Sequence, residues 1–184
     1  ARFGEDDFTG TQPRPYPNAW RYRDWVIAQF NRDLPYDTFV KAQIAGDLLP
    51  DNSSLVGGLG LFGLGPWYYG ITQPPQARAD ERHDRVDMVT RGFLGLTAAC
   101  ARCHDHKYDP IRADDYYRLR SIFEPYQVRY DAPSGSTDPM AGFPRAFDNN
   151  LAAVTHKHIR GDEARPDTGK KITPGVPSFL NFSP

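Results

Sequence analysis

Sulfur and net charge are both scarce in this chain, with two cysteines, two methionines and a formal charge of −1 across 184 residues. Two cysteines cannot build a disulfide-dense scaffold. Lys and Arg are scattered, with no block of five or more like charges, so nothing points to nucleic acid or an acidic membrane surface. No apolar run approaches the roughly twenty residues a membrane span needs. The Gly-rich stretch from Leu55 to Gly65 is too short and stops at Gly65-Pro66. The first residues do not read as a basic, apolar secretion signal. Internal repeats are missing, and no Ser-His-Asp set, phosphate loop or carboxylate pair stands out, which leaves hydrolase and transferase chemistry without a motif. Proline and glycine are plentiful instead, at 17 and 16 residues, and 13% of the chain is aromatic. That mixture predicts long irregular connections tied down by rings.

Both cysteines fall in one run, Cys100-Ala101-Arg102-Cys103-His104. This is the C-x-x-C-H attachment pattern of c-type haem. Two thiols three positions apart on a helical turn can add across the two vinyl groups of one porphyrin, and the histidine that follows is placed to ligate the iron. The blander readings are a disulfide, a redox dithiol or half of a zinc site. No second C-x-x-C or H-x-x-x-H completes a zinc set, and a Cys2His2 cluster of Cys100, Cys103, His104 and His106 would pack four ligands into seven residues. A thioredoxin-like motif would follow a strand, whereas the preceding stretch reads as helix. Attachment of haem c takes place on the outer side of the cytoplasmic membrane. The motif therefore predicts an exported protein, periplasmic or on the extracellular face.

The organisation along the chain supports a helical domain. Residues 1–17, with Pro13, Pro15 and Pro17, read as an extended arm. Asn18 is a candidate N-cap for a helix from Ala19 to about Arg32, and a second helix runs from Tyr36 to Leu48 with Phe39, Val40, Ile44 and Leu48 on one stripe. Val86, Val89, Phe93 and Leu96 predict a third helix, from roughly Ala79 to Ala101, that runs straight into Cys100. Asp105 to Pro110 reads as a tight loop and Ile111 to Phe123 as a fourth helix. The expected fold is mainly α: a helical, cytochrome c-like haem domain over residues 18–126, an irregular tail from Gln127 to Pro184, and long Pro/Gly-rich arms.

Several of these segments together carry a family likeness. Asn18 to Ile27, Leu34-Pro35-Tyr36-Asp37, Gln43 to Asp47, Arg91 to Thr97, Cys100 to Ile111 and Asp115-Tyr116-Tyr117-Arg118-Leu119 resemble the planctomycete cytochrome-type domain family (PSCyt2/DUF1549-like). Ile159-Arg160-Gly161-Asp162 and Thr173 to Leu180 resemble the opening of its companion DUF1553-like domain. The resemblance implies an exported haem c protein, commonly large and multidomain, without implying a settled reaction. The chain reads as a piece of a longer polypeptide, because Ala1 to Asp6 look like the middle of the first domain.

The iron needs a sixth-position partner, commonly Met or His. On one continuous helix Met88 would lie roughly 24 Å from His104 at about 1.5 Å per residue, and His83 farther still, which removes both. His106 is too close in sequence to reach the opposite haem face. Met140 is the leading distal candidate, with His156 and His158 as alternatives. The proximal imidazole should give its other ring proton to a carbonyl or carboxylate, with the carbonyls near Asp109 and Pro110 as candidates. Arg102, Lys107 and Arg91 are candidates for pairing haem propionates, and Trp67, Tyr68 and Tyr69 for walling the pocket. The expected function is one-electron carriage to a redox partner or membrane electron-transfer complex through one covalent haem. The rival expectations are a haem-bearing structural subunit of a larger membrane-associated complex, and a catalytic haem domain with an open distal site.

Overall fold

The computed structural model describes residues 18–50, 52–65, 74–131 and 142–180. Among these residues the fold is mixed and mainly helical, with two small two-stranded sheets. Helices α1 (Ala19–Asn31), α2 (Tyr36–Ala45), α3 (Asn52–Leu55), α4 (Gly60–Gly63), α5 (Pro74–Leu94) and α6 (Ala113–Ile122) come first. Strands β1 (Tyr126–Asp131), β2 (Phe143–Asp148), β3 (Thr155–His158) and β4 (Pro166–Ile172) follow. The tail expected to be irregular thus carries the strands. Short runs such as Thr155–His158 lack enough alternation to announce a strand by period alone.

The chain divides into two compact units, residues 1–67 with 127–147, and residues 68–126 with 148–184. The first is organised around Trp25. Its ring stacks on Phe39 at 5.6 Å between centroids and on Tyr22 at 6.1 Å, and its indole N–H donates to the Ser54 carbonyl at 2.9 Å. The face of α2 that packs inward is Phe39, Ala42, Gln43 and Gly46, an i, i+3, i+4, i+7 set. The expected stripe was rotated from this, since Ile44 and Leu48 are exposed. A polar residue hides the true face: the Tyr22 hydroxyl hydrogen-bonds Gln43 Oε1 at 2.5 Å, so Gln43 is buried at no polar cost. Gly58 lies so close to this face that a Cβ there would stand 2.5 Å from the Ala42 carbonyl oxygen. Asn18 does not cap α1; its side-chain amide donates to the Gly142 carbonyl at 3.0 Å.

The second unit contains the Cys-x-x-Cys-His run. Its long helix α5 is buried largely through charged residues, with Arg82, Arg85, Glu81 and His83 beside Val86, Met88 and Thr90. Burial of such groups is tolerable only with partners. Arg82 lies 3.3 Å from both Glu81 and Glu124, and Arg85 lies 2.6 Å from Asp84 and donates to the Tyr126 hydroxyl at 3.0 Å. Glu124 also takes Arg120 at 2.5 Å and the Thr155 hydroxyl at 2.7 Å, which ties α5, α6 and β3 together. Strands β3 and β4 pair antiparallel, Thr155 opposite Ile172 and His158 opposite Pro166, with a register break between His156 and His158.

The expected single helix into Cys100 does not exist. α5 ends at Leu94, Gly95 takes a left-handed φ of 66°, and the Leu96 N–H folds back onto the Thr90 carbonyl at 2.9 Å. A separate 3-10 turn, Ala99–Arg102, then carries the motif. Glycine at this position is the usual helix stop because the left-handed conformation costs it nothing sterically.

Candidate haem-attachment site

Three positions per turn is the repeat of a 3-10 helix, so residues i and i+3 eclipse. Cys100 lies within such a turn and Cys103 caps it, the Cys103 N–H reaching the Cys100 carbonyl at 3.4 Å. Both thiols are free and exposed. α6 braces the turn from beneath, where the Tyr117 hydroxyl donates to the Arg102 carbonyl at 3.1 Å.

His104 is exposed, and its Nδ1 lies 2.7 Å from the Asp105 carbonyl oxygen. That contact fixes the proton on Nδ1 and leaves Nε2 as the free lone pair. The orienting carbonyl is thus Asp105, closer to His104 than Asp109 and Pro110. The loop that follows is closely bonded. The Asp105 carboxylate accepts the Ala113 N–H at the start of α6 at 2.8 Å, and the His106 N–H reaches the Ile111 carbonyl at 2.8 Å. His106 Nδ1 accepts the Asp109 N–H at 2.9 Å, so His106 staples this loop. The donor set fits a haem c on these grounds: two exposed free thiols on one turn, and an imidazole whose free nitrogen faces outward from a bonded Nδ1.

The other expected contributors are placed as follows. Lys107 is exposed, with its ammonium 5.0 Å from the Tyr108 ring centroid, and Arg91 pairs with Asp87 at 2.7 Å. Arg102 turns away from solvent to pair with Glu163 and to donate to the Gly161 carbonyl at 3.2 Å, so its guanidinium is committed within the protein. His156 is half-buried in β3, its Nδ1 3.2 Å from the Lys170 carbonyl. His158 is buried. Met140, Trp67, Tyr68 and Tyr69 lie outside the described residues.

Sequence reasoning missed His83. The continuous-helix premise set it aside, yet the fold brings it together with buried His158 and half-buried Glu163, one ligand atom of each lying within 4.8 Å of the others. His83 Nδ1 meets the Tyr116 hydroxyl at 2.7 Å, and its ring approaches His158 edge-on at 6.0 Å. Burial first, then the Arg102 and Arg120 guanidinium charges, push His83 down to about 2 and His158 down to about 4. Both imidazoles are therefore neutral near pH 7, and the 3.4 Å approach of His83 Nε2 to Glu163 is a dipolar contact without an ion pair. No local signal links positions 83, 158 and 163. Only the helix stop at Gly95 and the turn after β3 bring them together.

That turn also touches the motif. Arg160 and Gly161 both adopt positive φ, 56° and 75°. A Cβ on Gly161 would stand 2.5 Å from Cys103 Sγ. The segment from Ile159 to Asp162 lies in the same compact unit as the motif.

A family model described as "PSCyt2: Protein of unknown function (DUF1549)" matches residues 1–128. No curated protein and no solved structure matches the chain.

Proposed function

The chain belongs to the PSCyt2 family of proteins of unknown function, and from that premise we propose that it is an exported, cytochrome c-like haem domain that carries single electrons. The observation that carries this reading is the His104 ring, exposed and held through Nδ1 on the Asp105 carbonyl at 2.7 Å, directly beside two free exposed thiols. A bound haem would supply one-electron chemistry at its iron. Every other contribution belongs to the chain.

Cys100 and Cys103 would tether the porphyrin as thioethers, each thiol adding across one vinyl group. His104 would supply Nε2 to the iron, and the Asp105 carbonyl makes that nitrogen more basic by drawing on the Nδ1 proton. The bonded loop from Asp105 to Ile111 holds the ring in one orientation, which lowers the reorganisation that accompanies a change of iron charge. Lys107, exposed at this loop, is the available cation for a propionate, since Arg102 is already paired. His158 is held inside the fold and His156 in the β3–β4 ladder, which makes Met140 the distal residue to test. A redox protein or a membrane electron-transfer complex outside the cytoplasm is the partner this chemistry requires.

The experiment is expression with a haem c maturation system, followed by a pyridine haemochrome spectrum and elemental iron analysis. One c-type haem per chain is expected, lost in Cys100→Ala with Cys103→Ala. A weak far-red methionine-to-iron band, absent in Met140→Ala, is the expected distal signature. A chain that matures without haem overturns the reading. Carbon monoxide binding to the reduced protein would move the function from electron carriage to catalysis at an open distal position.

A further inference from the structure

We propose that His83, His158 and Glu163 form a second metal site, independent of the haem motif, that takes a borderline divalent transition ion such as Zn2+. Two imidazoles and one carboxylate suit zinc and its neighbours in the series better than Ca2+ or Mg2+, which prefer oxygen. The ligand atoms lie within 4.8 Å of one another. Ligands about 2.0–2.1 Å from a tetrahedral zinc stand roughly 3.4 Å apart, so small side-chain rotations close the site.

The lone pairs argue for an ion more strongly than the spacing does. His83 and His158 are both more than nine-tenths buried, and among the described residues His83 Nε2 and His158 Nδ1 have no hydrogen-bond partner, His83 Nε2 standing 3.4 Å from the Glu163 carboxylate. Buried imidazole nitrogens left without partners are costly, and those of a natural core ordinarily find one. A divalent ion would satisfy both at once. The surroundings supply the outer contacts such sites use. The Tyr116 hydroxyl is placed to accept the His83 Nδ1 proton at 2.7 Å, which would leave Nε2 as the ligand, and Arg102 holds the Glu163 carboxylate. The cations facing the cluster are Arg102, which pairs with Glu163, and Arg120, which shares Glu124 with Arg82. A cavity of about 320 Å3 lined by Asp80, Asp84, Asp87, Arg102, His83 and Tyr116 adjoins the cluster and offers a carboxylate-rich approach.

Three protein ligands leave one position of a tetrahedral ion for water, the arrangement of catalytic rather than structural zinc sites. Arg102 links this site to the Cys100–Cys103 turn, since the same guanidinium holds Glu163 and the Gly161 carbonyl. Occupancy would therefore stiffen the support beneath the thiols.

The test uses the full chain with its thiols consumed by haem or blocked by alkylation, dialysed against Zn2+ and analysed for metal and by X-ray absorption. The expected result is one zinc per chain, with nitrogen and oxygen neighbours near about 2.0 Å, imidazole scattering and no sulfur shell near about 2.3 Å. Glu163→Gln should weaken binding at least tenfold, and a folded His158→Ala chain should lose it. If His158→Ala fails to fold, the absorption spectrum of the unsubstituted chain still decides. No retained zinc, a sulfur shell, or undiminished binding in a folded His158→Ala chain would each overturn the proposal. Because the thiols are blocked, failure of haem attachment leaves this result untouched.

Discussion

Two glycines show how differently one residue type can matter. Gly95 and Gly161 both have left-handed backbones, with φ of 66° and 75°. Around Gly95 a Cβ would meet nothing within 4 Å, whereas at Gly161 it would strike Cys103 Sγ. Gly95→Ala should therefore cost only the backbone term, about 1 kcal/mol. Gly161→Ala adds a steric conflict with the Cys103 thiol, and a loss of about 2–3 kcal/mol is expected. Denaturant titration of the two variants reads the difference. Equal losses would mean that the Gly161–Cys103 contact relaxes freely. Under haem maturation Gly161→Ala should also lower the yield of doubly attached haem, which mass spectrometry of the tryptic haem peptide would show.

At the scale of elements, α6 is the part that fastens the rest of its unit. Asp114 near its start takes Lys157 of β3 at 3.2 Å and Lys170 of β4 at 2.7 Å. The hydrogen bond from Lys170 leads the effects that hold the Asp114 carboxyl below the usual carboxylate range. A carboxyl with a depressed folded value binds fewer protons when folded than when unfolded. Its contribution is complete above the unfolded value of about 3.9 and is lost as pH falls through the folded one. Asp114→Asn should thus lower stability at neutral pH by less than about 1 kcal/mol, since solvent reaches these groups and screens the pair. The variant and the parent should converge in strong acid. A gap that persists unchanged to the bottom of the acid titration would show that packing, not charge, carries the effect. α6 also acts on the motif, through Tyr117 to the Arg102 carbonyl and Asp105 to the Ala113 N–H.

At the scale of the whole molecule, the unit that carries the motif is held together by a buried ionic network rather than by an apolar core alone. The Glu124 carboxylate accepts from Arg120 and Thr155 and stands 3.3 Å from Arg82. Glu124→Gln removes the charge that compensates two largely buried guanidinium groups, and a loss of about 3–5 kcal/mol is expected. The chemical-denaturation midpoint should fall with an unchanged slope if the unit unfolds as one body. A loss below about 1 kcal/mol would mean that water or a neighbouring carboxylate takes over the charge. Such a network was invisible in the periodicity, since spacing along α5 says nothing of its partners Glu124 and Tyr126, which come from elsewhere in the chain.

Legibility follows the range of the interaction. Helices α1, α2 and α6 were readable because prolines and apolar spacing are local, although the inward face of α2 was not, its buried Gln43 depending on a hydroxyl in α1. The amino-acid sequence by itself determined Cys100, Cys103 and His104 as a set, because their geometry is that of one turn and its next residue. Tertiary structure alone decided that Arg102 pairs with Glu163 and that His83 meets His158. Those outcomes rest on side chains from three separate segments converging in the interior, where partners are chosen by burial and charge compensation rather than by spacing along the chain.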